Sequence, residues 1–544
     1  MYPAGGGGDA VLPTTSADGR FVLFASTANY LALTTNGTPV PILVPASLNV
    51  YLRNRASNTT TLVSMNLAGT GGGNGDSLPA GVSTDGCYVL FESVASDLVA
   101  GDTNNASDIF VRDLVNGVTS LVSMNTNGVS SSGASHNAVM TPDGNDVAFS
   151  SAASDLVAND SNGIPDIFLR DLQEQTTKLI SVGAVSNSTS TLLSYSETPA
   201  ITPDGRHIAF FSTAVGVVSG VPAGEVYIRD QVAGVTTWAS TNARAIAKSV
   251  TGSSNAVSCN LSMSTNGDFV AFEVCTNSLI PSFAPGIILR YGRQTGLTDV
   301  VHTNAVVPLT SFENMRNLDM TPDGRFIAFV ANASGFSGTN TAIFLWDGQT
   351  GTNTPVSVDL GNNLPLTAFC DSPSVSSNGQ SVAFLSNNTN LTTNNLTGDF
   401  HLYLRDMQAD TTLLVDATTN GLGAGVAPTT FPSLSADGQW VAFESSSQNL
   451  VPNDNNGDYD VFLANPISGA NELISARHPA LPGGGPTISW LAATNKIYSV
   501  QWQSDLSGAN WLNVTGTVTI IGKHGYVTDF VPAPDRRFYR GVSN

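Results

Sequence analysis

Eight times along this chain an Asp-Gly or Asn-Gly pair is followed, at fixed offsets, by a β-branched residue and a phenylalanine. The copies begin at Asp18, Asp85, Asp143, Asp204, Asn266, Asp323, Asn378 and Asp437. In each, Val or Ile lies four positions on and Phe six. Asp18 to Asp437 is 419 residues in seven steps, a period of about 60. A repeat of fixed period means a unit that buries its apolar surface against copies of itself. The Asp-Gly pair between extended segments signals a hairpin turn, because these residues tolerate positive φ. Val/Ile-x-Phe then puts two large side chains on one face of a strand, with Ala or Leu on the other. A strand filled on both faces has to be sandwiched between neighbours.

A third strand follows in most copies and ends in Arg-Asp or a relative, as in Ile109-Phe-Val-Arg112-Asp113, Ile167-Phe-Leu-Arg170-Asp171 and Leu402-Tyr-Leu-Arg405-Asp406. A turn then leads to a fourth strand such as Thr119–Ser123. Four antiparallel strands repeated radially protect sheet edges as a β-propeller does. The chain is therefore expected to be all-β: an eight-bladed β-propeller over residues 10–478 after a Gly-rich tail at 1–9. The Asp-Gly turns should join the first and second strands of each blade. The length beyond a short blade is expected mainly between the second and third strands.

The Ser/Thr-x-Asp-Gly-x-x-Val-Ala-Phe core, with its Val/Ile-Phe-Leu-Arg-Asp strand, resembles the repeats of TolB-like propellers over roughly residues 10 to 478. That resemblance implies a scaffold used for binding and carries no catalytic set. Gly-His…Trp-Asp pairs, sialidase-type Asp boxes and a repeated Trp docking motif are all absent from the sequence.

The repeat stops after Ile474, and residues 479–486 read as a Pro/Gly linker. Beyond it, Ile488-Ser-Trp490, Tyr498-Ser-Val500-Gln-Trp502, Trp511-Leu512 and Arg537-Phe-Tyr539-Arg540 read as short alternating strands. This stretch is similar to the fibronectin/Ig-like C-terminal modules of secreted bacterial proteins, which implies a small β-sandwich at 487–544. Its tryptophans are read as core, with a sugar-stacking platform as the rival.

Charged residues make up only 12% of the chain and net charge is −21. An acidic surface repels phosphate backbones, so no nucleic-acid partner is expected. No apolar run is long enough for a transmembrane segment. Few lysines and a β-rich pattern point to a secreted, periplasmic or cell-surface location, although no export signal opens the sequence. Cys259 and Cys275 flank a hairpin turn, where a disulfide could form or not.

The six histidines, at 136, 207, 302, 401, 478 and 524, occupy unlike repeat positions and are read as incidental. No nucleophile–base–orienter set or nucleophile elbow can be assembled, so no enzyme activity is expected. One constellation stands out, a D-x-N-x-x-x-D pattern ahead of the third strand in three repeats. It comprises Asp102, Asn104 and Asp108; Asp160, Asn162 and Asp166; and Asp454, Asn456, Asp458 and Asp460. Such loops offer hard oxygen ligands for calcium, and equally make side-chain-to-backbone turns without metal. The expected function is a non-catalytic, extracytoplasmic scaffold that binds a protein or glycan. The alternatives are a structural subunit binding copies of itself, or a secreted enzyme acting on polysaccharide or peptide. Carboxylates converging on the pore would favour an enzyme; small neutral residues there would favour the scaffold.

Overall fold

The computed structural model describes residues 9–41, 46–158, 160–187, 193–275, 286–305, 318–332, 340–365, 367–428, 430–452, 454, 456–476, 487–491, 498–503, 511–514, 519–521, 524–528 and 538–543. Eight antiparallel blades follow one another, each taking its four strands in sequence order. The innermost strands are Ala10–Thr15, Ser77–Val82, Ser135–Met140, Ser196–Ile201, Val257–Met263, Leu318–Met320, Cys370–Val375 and Ser433–Leu434. Blades 5 and 6 are also joined by one bridge, Ala305 to Ala331.

The Asp-Gly turns join first and second strands, as expected, but the Asp does a different job. In all eight blades a Ser or Thr two residues earlier donates its hydroxyl to the Asp or Asn side chain at 2.5–2.8 Å. The Asp18, Asp85 and Asp143 carboxylates also accept the backbone N–H two residues on. This is an Asx turn, and the positive φ falls on the glycine alone. The turn glycine also receives a side chain of the preceding blade. Phe21 lies over Gly86, Phe269 over Gly324 and Phe326 over Gly379.

The core is not one mass but eight clusters, each lying between adjacent blades. The repeat Phe of the second strand stacks on an aromatic residue of the third, as in Phe91–Phe110 at 5.5 Å and Phe210–Tyr227 at 5.6 Å. The third-strand arginines bury their stems and donate across to a fourth-strand Thr: Arg112 to Thr119 at 2.9 Å, Arg229 to Thr236 at 3.1 Å. Arg405 also pairs with Asp410 in the next turn.

Among the described residues no strand is exchanged to close the ring. Blade 1 meets blade 8 through the bonds Leu12 N–H to Glu444 Oε2 (3.1 Å) and Thr15 N–H to Ser433 Oγ (3.1 Å). Arg55 stacks 3.8 Å from the Trp440 ring and bonds Glu472 at 2.8 Å. Trp440 in turn lies over Gly19, repeating the contact made at the other blades.

One expectation needs correction. The extra length is shared between the second-to-third-strand loops and the connections between blades, such as residues 63–76. One such connection holds a helix, α1 (Ala243–Thr251), that the strand-rich reading missed. It is too short for a sustained 3.6-residue period, and it forms by burying Ala243 and Ala247 against blades 4 and 5. Among the described residues no helix is long and apolar enough to cross a membrane.

Beyond the propeller, the described residues form two three-stranded antiparallel sheets. Trp511 lies under Arg540 at 4.3 Å. The tail residues 1–8, the linker 479–486 and the side chains of Trp490 and Trp502 lie outside the described residues.

Candidate functional site in the axial channel

The innermost strands touch one another in a closed circle, so they border the axis of the ring. His136, Glu197, Cys259 and Asp371 hold equivalent places on the inner strands of blades 3, 4, 5 and 7. They face Ser150, Phe211, Glu273 and Leu385 on the second strands. The next residue in each inner strand is a bulge with left-handed backbone: Asn137 (56°), Thr198 (53°), Asn260 (47°) and Ser372 (53°), with Leu12 (55°) in blade 1. For Leu and Thr this conformation costs about 1–2 kcal/mol.

Hydrogen bonds to carboxylates offset part of that cost. Asn137 N–H donates to Glu92 at 2.5 Å, Leu12 N–H to Glu444, and Ser372 N–H to Asp371 at 2.7 Å. Glu92 and Glu444 thereby tie each blade to the next. His136 also lies 3.4 Å from Glu92, a hydrogen bond that raises its pKa.

Glu273 stands at the same repeat position as Glu92 and Glu444 but is fully buried. Its Oε2 accepts from Asn260 Nδ2 at 2.9 Å, and its Oε1 has no partner. Burial pushes Glu197 up to about 7 and holds Glu273 well above the usual carboxylate range; the Asp371 charge adds to the latter. Burial raises Asp371 and Glu444 too. Among the described residues no Lys or Arg pairs with Glu197, Glu273 or Asp371. Cys259 and Cys275 are free thiols in contact, and a hydrogen bond to Cys275 together with burial keeps Cys259 protonated.

By contrast, two open grooves of about 460 and 530 Å³ on blades 7 and 8 are lined by Thr, Asn, Gly and apolar residues. Tyr459 is their only titratable group.

The three D-x-N-x-x-x-D loops fold alike. Each Asn carbonyl oxygen accepts the N–H two residues on (Ala106, Ile164, Asp458). Its amide nitrogen donates to the last Asp: Asn104 to Asp108 at 2.8 Å, Asn162 to Asp166 at 2.5 Å, Asn456 to Asp460 at 2.9 Å. That Asp opens the third strand and accepts the hydroxyl of Ser123, Ser181 or Ser475 from the fourth at 2.5 Å. The first Asp is brought close as well: Asp102 is 9% exposed and Asp454 2%, each with an unpartnered Oδ1. Asp160 lies near Asp166, and Asp458 sits half-buried beside Asp9.

The histidines are less incidental than the sequence suggests. His401 is buried and bonded to Asp416 at 2.8 Å. His207 lies 3.5 Å from Asp230, and His302 packs against the stacked pair Phe329 and Phe344. His478 and the His524 side chain lie outside the described residues. Among the described residues no Ser, Thr or Cys is hydrogen-bonded to a histidine ring.

No family model matches the chain, and no curated protein matches it. Solved structures do. The propeller is similar to that of a prolyl endopeptidase, at 10% identity and TM-score 0.43, covering 77% of this chain and 52% of that one. It is similar to the propeller domain of the Trilobed protease from Pyrococcus furiosus: 10% identity, TM-score 0.37, 75% and 95% covered. A protein described as TolB from Agrobacterium tumefaciens matches at 16% identity and TM-score 0.30, covering 54% and 79%. This chain thus spans about half the length (52%) of the prolyl endopeptidase it matches.

The expectation of a non-catalytic protein- or glycan-binding scaffold is corrected here. Peptidase structures recur among the structural neighbours, and acidic side chains stand on or beside the inner strands among their Ser, Thr, Ala and Gly residues.

Proposed function

We propose that this propeller handles peptides in the manner of a peptidase-associated propeller, drawing positively charged polypeptide into its axial channel. The observation that carries the reading is the trio Glu197, Glu273 and Asp371, the first half-buried and the other two buried, without a cation among the described residues. Buried carboxylates that lack a counter-charge attract one. The net charge of −21 adds long-range steering of cations towards the ring. Eight strand edges border the axis, and strand edges are what an extended peptide bonds.

A labelled eight-residue oligo-arginine peptide should bind the full chain, and oligo-glutamate should not. Glu197→Gln and Glu273→Gln should each weaken binding about fivefold, the equivalent of roughly 1 kcal/mol. Glu174→Gln, on an exposed turn outside the channel, should change nothing. Equal loss in all three variants, or equal binding of both peptides by fluorescence anisotropy, would refute a channel site.

The Glu197 carboxyl also gives the site a pH signature. With a pKa of about 7, it passes from about nine-tenths ionised at pH 8 to about one-tenth at pH 6. Cation binding should therefore weaken on acidification. Stability should move the other way. The folded state holds this proton more tightly than the unfolded chain does, so Glu197 destabilises the fold above pH 7 and that penalty fades as pH falls towards 4.5. Paired binding and melting curves at pH 6 and 8 for the parent and Glu197→Gln check both signs. A variant with the parent's pH dependence would assign it to another group.

A further inference from the structure

The residue that opens the third strand is tied to the end of the fourth strand in most blades, and its charge varies. In blade 1 it is the neutral Asn49, bonded to Ser64. In blade 4 it is Glu225, which takes the Ser240 hydroxyl and an ion pair with Arg244 Nε of α1 at 2.6 Å. In blade 7 the roles reverse, and His401 sits on Asp416. Where this buried tie carries a carboxylate, the chain supplies a basic side chain in blades 4 and 7. Blades 2, 3 and 8 carry Asp108, Asp166 and Asp460, with no Lys or Arg paired to them and no imidazole hydrogen-bonded to them among the described residues, although the His136 charge reaches Asp108. These are also the three blades whose loop adds a second carboxylate, from Asp102, Asp160 or Asp454. In blades 2 and 8 one oxygen of that carboxylate is buried without a partner.

We propose that each of these three loops binds a calcium ion, which takes the place that Arg244 fills in blade 4. The ion would lie between the first and last Asp of the loop. The Asn104 amide nitrogen is 2.8 Å from Asp108 Oδ2 and 3.0 Å from the Ser131 carbonyl. That amide keeps its oxygen on the Ala106 N–H, so the spot offers two carboxylates and a backbone carbonyl, and water completes the shell. Blade 3 repeats the arrangement with Asn162 and the Ala184 carbonyl at 3.0 Å. The donors are all oxygen, with no imidazole or thiolate, which selects a hard cation. Calcium accepts such irregular oxygen shells, whereas magnesium demands a near-ideal octahedron and keeps its waters.

The test uses the full chain, stripped with chelator and titrated with calcium chloride by calorimetry, alongside thermal melting. Calcium should bind with a Kd of about 0.01–1 mM, the weak end of protein calcium sites, and raise the melting temperature by several degrees; magnesium chloride should not. Asp102→Asn, Asp160→Asn and Asp454→Asn keep shape and leave the Asn–Asp–Ser ties in place. Each should remove one ion from the stoichiometry, and the triple variant should melt identically with and without chelator. No heat of binding at about 1 mM calcium, or full stoichiometry in a folded triple variant, would overturn the proposal.

Discussion

A chain ending at Ala427, and so lacking blade 8, is expected to lose cooperative folding and to aggregate. Two of the eight core clusters contain blade 8, one shared with blade 1 and one with blade 7. Its removal strips cover from Val22, Phe24 and Tyr51 on one side and from Leu385, Leu402 and Leu404 on the other. Each is 2% exposed or less in the intact ring. Fully burying such a side chain is worth about 1.5–3 kcal/mol, so six exposed together forfeit on the order of 10 kcal/mol. That is comparable to the whole stability of an ordinary domain, about 5–15 kcal/mol. Because no strand among the described residues crosses the seam between blades 1 and 8, blade 7 has no strand to draw it round to blade 1 once blade 8 is gone. Size-exclusion chromatography and urea unfolding check this. A soluble monomer with one sharp transition would show that seven blades suffice.

The blade count was legible because everything that builds one blade lies within about 60 residues of sequence. Turn, strand alternation and Arg-Asp terminus are local signals, and eight repetitions average out any weak copy. What lay outside the repeat was not legible. Helix α1 is a nine-residue insertion in a single connection. The closure between Arg55, Trp440 and Glu472 joins residues about four hundred positions apart, which no local pattern links.

The channel site was legible in principle and missed in practice. His136, Glu197, Cys259 and Asp371 each stand seven residues before the turn Asp or Asn, and Glu92, Glu273 and Glu444 stand seven after it. Their chemistry differs from blade to blade, so they do not register as a motif. They become a set only once the first strand is known to be innermost and the ring is closed. The D-x-N-x-x-x-D loops had the opposite character. Their letters repeat, so the sequence found them at once. It could not show that the Asn amide nitrogen faces the last carboxylate, or that the first Asp keeps a buried oxygen unpaired.

Gly86→Ala should destabilise the protein far more than Gly128→Ala, although both glycines have left-handed backbone, at φ 77° and 81°. A methyl group in that conformation costs about 1–2 kcal/mol at either site. At Gly128 nothing lies within 4 Å of the added carbon, so the cost stops there. At Gly86 the same carbon would stand 2.1 Å from Phe21 Cζ and 2.5 Å from the neighbouring ring atom. Phe21 is 3% exposed and belongs to the cluster between blades 1 and 2, so its ring cannot swing out without opening that interface. Overpacking of this kind adds about 1–3 kcal/mol, bringing Gly86→Ala to about 2–5 kcal/mol in all. Phe21→Ala combined with Gly86→Ala separates the two causes, because with the ring gone only the backbone strain of the second change remains. The double variant should therefore be less destabilised than the sum of the singles, by the amount of the clash. Urea midpoints for the parent, the three single variants and the double variant supply the comparison. Equal destabilisation by Gly86→Ala and Gly128→Ala would mean that backbone conformation alone fixes the glycine of the repeat and that blade-to-blade contact plays no part.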